Sequence, residues 1–384
     1  MQLRLTQGTP VFLEGLPPLG LAYLLAHQEL DNPLVVVVAN GERAEQTVAD
    51  LRALGTADVQ VFLGDPHAPF EEVSPDPQWV FGRLCVRHRI LTGDRPRVIV
   101  ASAPATQGRW LPDEAFLAAT DLWVQGEEIG RDRLAAQLIG CGYQRVNLVE
   151  DEGTFAIRGG IVDVFPPGRE HPVRLDLFGD EIASIKTFDP HTQRAFDSQE
   201  ALAIHPIREV LFADASVQCA LSRLEQIAEE TIIPSRRLHA LMSEIEQRNY
   251  FFGVEAIWPA FYEQGVPILD TLIADDVMTV IDDRDAVGDA LQDRWERAYR
   301  ERERALDRHR VTVRVEEHLE EPGRTLAAIE NQTVLVSVRL SVGQGERLLP
   351  VRLKDWHRLA QEMESRREDA WKRTAPTRSS TTLS

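Results

Sequence analysis

Between residues 9 and 101, short apolar runs alternate with amphipathic segments, the pattern of strands feeding a parallel sheet through crossover helices. Residues 34–39 (LVVVVA) and 97–101 (RVIVA) are β-branched and apolar on both faces, which predicts strands covered by helices on either side. Residues 9–14 and 59–63 read as further strands, and 19–29, 42–54 and 78–92 as the helices between them. The expectation is a doubly wound α/β domain.

From about residue 127 the period changes. After one helix at 131–140 come five short runs, at 144–150, 154–157, 160–165, 173–178 and 181–188, punctuated by Gly and Pro as antiparallel strands are. This predicts a small β-rich domain inserted into the first. Helical character then returns, with a buried strand at 277–281 and a long charged helix at 284–310, so the α/β domain is discontinuous. The division read from the sequence is 1–119 and 192–345 for the α/β domain and 120–191 for the insert. Residues 346–384 are left as a tail with a charged helix candidate at 353–373 and a Ser/Thr-rich end.

Composition narrows the function classes. With 384 residues the chain exceeds the size at which one core keeps growing, so two or three compact units are expected. Its 61 acidic and 42 basic residues give a net charge of −19, which disfavours strong independent binding to a phosphate backbone. Cys85, Cys141 and Cys219 form no CxxC pair, so neither a disulfide framework nor a cysteine metal site is expected. No run approaches the length of a membrane span and no signal peptide is visible, so the expected location is the cytoplasm.

A phosphate-binding loop reads GxxxxGK[ST], with the Lys neutralising phosphate and the hydroxyl ligating magnesium. Gly15 and Gly20 hold that spacing between a strand and a helix, but Leu21 and Ala22 follow where Lys and Ser/Thr are required, and Pro17 and Pro18 remove two N–H donors. The frame reads either as a vestigial nucleotide loop or as a plain strand–turn–helix, and neither supports ATP hydrolysis. Residues 277–283 (VMTVIDD) end in acids as a magnesium-binding strand does, although a turn or helix cap explains them as well. No HExxH or GxSxG spacing occurs. No catalytic residue, cofactor or metal is expected.

The strand at 173–178 (VRLDLF) carries a stronger signal. Alternation places Val173, Leu175 and Leu177 on one face and Arg174, Asp176 and Phe178 on the other. An Arg and a large aromatic on the wet face have the composition of a protein-binding hot spot. Arg158, at the end of the preceding strand and before the Gly159–Gly160 turn, can share that face. The alternative is that Phe178 packs under a loop and the arginines are solvent charges.

The stretches GY at 142–143, VEDEGTFAIRGGIVDVFPPG at 149–168, PVRLDLFGDEI at 172–182, FDP at 188–190 and TQR at 192–194 closely resemble the UvrA-interaction domain shared by the excision-repair helicase UvrB and the transcription-repair coupling factor. The segment FEEVSP at 70–75 and the ruined phosphate loop are similar to the coupling factor's N-terminal module. The resemblance implies a degenerate, helicase-like α/β body without ATPase activity, whose insert recruits UvrA through Arg158, Arg174 and Phe178. It also implies a role in nucleotide excision repair and transcription-coupled repair. RNA polymerase would be reached only through domains that this chain is not expected to contain. The alternatives are a fragment of an ATP-dependent UvrB-type helicase and a stand-alone competitor for UvrA.

Overall fold

The computed structural model describes residues 10–28, 32–71, 73, 76–230, 233–338 and 348–350. Seven parallel strands form the sheet of the body, in the order Leu348–Pro350, Val11–Glu14, Thr333–Val338, Met278–Asp282, Leu34–Val38, Val98–Ser102, Val59–Phe62. All five residues of Leu34–Val38 are buried, as a β-branched run between two other strands requires. Its pleat sends Val35 and Val37 into one apolar layer with Trp110, Phe116 and Trp258. Leu34, Val36 and Val38 point into the opposite layer, with Leu13, Leu21 and Leu51. The body is therefore mixed α/β around a two-sided parallel sheet, as the pattern predicts.

Helix starts follow local chemistry. The Asn40 side chain accepts from Arg43 N at 2.9 Å to open Gly41–Ala53, and Asp76 accepts from Gln78 N at 3.0 Å to open Pro77–Leu91. The predicted helix at 19–29 runs from Pro18 to Ala26, and the long charged helix from Arg284 to Asp307. The helix candidate at 353–373 lies outside the described residues.

A second, six-stranded sheet makes up the insert, in the order Ala195–Gln199, Glu181–Phe188, Val173–Phe178, Ile161–Phe165, Thr154–Arg158, Gln144–Arg145. Its inner face packs with helix Arg131–Gly140 around Trp123, Leu134, Leu138, Phe155, Val162, Val173, Leu175 and Ile185. Two strands follow residue 191, one at the edge of this sheet and one in a separate two-stranded sheet. Ala195–Gln199 pairs with Glu181–Phe188, and Ala201–Ile204 pairs back onto Asp121–Val124. The first of these is a largely exposed edge strand with no apolar face, so alternation gives no sign of it. The run predicted at 144–150 shortens to two strand residues, and Val146 and Val149 cross over the sheet instead.

The seam between body and insert is packed. Arg83 donates to Glu209 at 3.1 Å, both nearly buried, and the His88 and His205 rings stack with centroids 4.7 Å apart. Gly153, at φ +76°, lies against Phe81 and Ile207, where a Cβ would come within 2.7 Å of the Phe81 ring.

Candidate protein-docking face

The outer face of the insert's sheet divides into a covered half and an open half. In the covered half Val149, Ala156, Phe165 and Phe188 close a small apolar cluster beneath the chain that carries Val146. Asp163 borders it. Although Asp163 sits in an otherwise apolar strand (IVDVF), its carboxylate has no solvent exposure. Register places it opposite Arg174 on one side and Ala156 on the other. A buried carboxylate is tolerated only when paired and hydrogen-bonded, and two arginines do this.

Arg174 grips Asp163 with both edges of a fork, Nε to Oδ1 at 2.6 Å and Nη2 to Oδ2 at 2.9 Å. Its Nη1 donates to the Gln193 carbonyl at 3.1 Å and its Nη2 to the Gln193 side-chain oxygen at 3.3 Å. The guanidinium also stacks over the Phe188 ring, 4.5 Å from its centroid. The carboxylate beside it holds its pKa above the usual arginine value. Gln193 in turn donates to Val149 O and Pro190 O, which ties the Asp189–Arg194 turn down over the sheet.

Alternation places Arg174 on the solvent face, but the structure covers most of its side chain. Its side chain is only 16% exposed, because the turn and the small apolar cluster close over the place that alternation assigns to solvent. Alternation reports which face a residue occupies and not whether another segment covers that face.

Arg158 and Phe178 occupy the open half. Arg158 donates through Nη2 to Asp163 Oδ2, and its side chain is 44% exposed. Phe178 is 82% exposed, the most exposed large apolar side chain among the described residues. Alternation holds to the end of its strand, since the irregularity beyond Asp176 adds the extra residue, Ala183, to the facing strand. The alternative in which Phe178 packs under a loop is excluded by its exposure. Arg158 pairs with Ile161, Ile161 with Asp176, and Phe178 lies two residues further on, so Arg158 and Phe178 share one end of one face.

The other sequence candidates go elsewhere. Gly15 takes φ +71°, and Pro17 caps a helix that begins at Pro18, with Gly20 N donating to Pro17 O at 2.7 Å. Leu21 and Ala22 are buried in the body's core beside Leu13 and Leu25. Asp282 is paired with Arg43 at 2.6 Å, and Asp283 caps its helix by accepting from Ala286 N at 3.3 Å, in keeping with the helix-cap reading. No group of three or more His, Cys, Asp or Glu suited to a metal ion occurs among the described residues, and no helix among them is long and apolar enough to cross a membrane. Sequence reading missed Asp163, Phe188 and Gln193. A lone carboxylate in the apolar strand at 161–165 was the available signal for the first.

Residues 123–209, the unit that carries this face, match the family described as the UvrB interaction domain. The chain is also 34% identical over 280 residues, 71% of its length, to the transcription-repair-coupling factor of Myxococcus xanthus, of which it covers 23%. It is 29% identical over 52% of its length to the same factor of Escherichia coli, covering 17% of that protein. A UvrABC system protein B from Synechococcus sp. (strain JA-3-3Ab) is 28% identical over 66% of the chain, which covers 39% of it. About two thirds of the chain is thus homologous to these two kinds of protein, and it spans less than half the length of each.

Proposed function

We propose that this chain is a non-catalytic docking module of nucleotide excision repair that binds UvrA through the open half of the insert's outer face. The observation that carries the reading is Phe178, 82% exposed at the end of a sheet face that also presents Arg158. A solvent-facing aromatic with an arginine on the same face is the makeup of an interface hot spot. The homologous repair proteins supply the partner class. Arg174 belongs to the same constellation as the inner support of that face.

The absence of ATPase activity is part of the proposal. Supporting it, Leu21 and Ala22 stand where a phosphate loop needs Lys and Ser/Thr, and both are core residues. The test is a binding titration of the purified chain against UvrA, without nucleotide, for the wild type and Phe178→Ala. Saturable binding that falls at least tenfold in the variant supports the reading. Equal affinity of the two, or no binding by the wild type, overturns it.

A further inference from the structure

The sequence resemblance groups Arg158 and Arg174 together as contact residues, but the geometry makes them unlike. A guanidinium carries five N–H donors. Arg174 commits four of them, two to Asp163 and two to Gln193, and one face of its plane lies on the Phe188 ring. Little of it remains for a partner. Among the described residues, Arg158 makes one side-chain hydrogen bond, to Asp163 Oδ2, and its side chain is 44% exposed. One carboxylate against two guanidinium groups leaves one positive charge in excess, and the exposed member of the set is Arg158.

We propose that Asp163 is the positioning residue of the docking face. It anchors the Arg158 guanidinium over the sheet, at the same end as Phe178, and Arg158 makes the polar contact. Arg174 acts only through the shared carboxylate, by neutralising and orienting it, and touches no partner atom. A long arginine side chain left to itself samples many rotamers and loses that freedom on binding. One hydrogen bond to a fixed, fully buried oxygen removes most of that freedom in advance. The partner chemistry this fits is an acidic side chain flanking an apolar pocket, with the carboxylate meeting Arg158 and the pocket taking Phe178.

The inference rests on the UvrA-docking reading, and the experiment keeps the two separable. Affinity for UvrA is measured for the wild type, Asp163→Asn, Arg158→Ala, the double variant, Arg158→Lys and Phe178→Ala, with the fold of each checked by circular dichroism. If Asp163 works through Arg158, Asp163→Asn weakens binding about tenfold or more, and the double variant is no weaker than Arg158→Ala within about twofold. Arg158→Lys, which keeps the charge and loses the planar fork, then binds as poorly as Arg158→Ala. Losses that multiply in the double variant would mean that Asp163 merely supports the fold, and the inference fails. Should Asp163→Asn not fold, Arg158→Lys decides alone. Wild-type affinity in Arg158→Lys overturns the positioning role, whereas loss supports it. Full affinity in Phe178→Ala instead removes the docking reading itself.

Discussion

Asp163 and Arg174 stand opposite each other on neighbouring antiparallel strands, joined by hydrogen bonds of 2.6 and 2.9 Å at a carboxylate with no solvent exposure. Removing one partner of a buried pair strands the other charge, at a cost of about 3–5 kcal/mol. Arg158 remains on Asp163, so Arg174→Ala should fall at the lower end, about 3 kcal/mol. Urea unfolding followed by circular dichroism checks it. An unchanged midpoint would mean that Arg158 and water satisfy the carboxylate without Arg174.

Phe178→Ala should behave in the opposite way. Its side chain touches little, and surface changes of this kind shift stability by within about 0.5 kcal/mol. Binding should nevertheless weaken by about 2 kcal/mol or more. A melting temperature that drops together with affinity would place Phe178 in the core and contradict its exposure.

Placing a Lys where a phosphate loop would carry one should not create ATP binding. Leu21 is 1% exposed within the apolar layer of Leu13, Leu25 and Val36, so Leu21→Lys places an unpaired ammonium in that layer. The expected result is a loss of several kcal/mol of stability, or failure to fold, with no heat of ATP binding by calorimetry. Magnesium-dependent ATP binding by the variant would show that residue 21 can turn toward a phosphate site.

Two glycines with similar backbone angles should differ in their response to alanine. Gly153 (φ +76°) meets Phe81 and Ile207 at the seam, whereas Gly179 (φ +64°) has open space around it. Both substitutions carry the left-handed penalty of about 1–2 kcal/mol. Gly153→Ala adds overpacking of about 1–3 kcal/mol. Denaturant midpoints that match for the two variants would mean the seam accommodates the methyl group.

Acid should weaken the fold through two buried histidines. His205 and His318 are held neutral by burial, with pKa values lowered to about 4, and their rings hydrogen-bond to the Pro206 and Ala256 carbonyls. The unfolded chain takes up these protons near pH 6.5 and the folded chain only near pH 4. Their contribution is therefore complete above pH 6.5 and is lost as pH falls from there toward 4. At pH 5 the loss is about 2 kcal/mol for each. His205→Gln should flatten the fall in stability between pH 7 and 5, and a slope identical to that of the wild type would show that His205 is not its source.

The sequence by itself determined the two-sided parallel sheet, because a run such as LVVVV can be buried only between two layers. It also determined the antiparallel insert and the outward direction of Phe178, since the pleat allows a side chain in a strand only two directions. Missing Lys and hydroxyl residues after Gly20 were legible too, being identities and not geometry. Tertiary structure alone decided that Arg174 is covered and Arg158 is open. Both obey the same alternation, and what separates them is the turn of Asp189–Arg194 and the chain at Val146 and Val149 folding back over one half of the face. Register decided that Asp163, eleven residues before Arg174, would face it and hold both arginines. Pairing across strands depends on where hairpins close, a long-range property that no local pattern encodes.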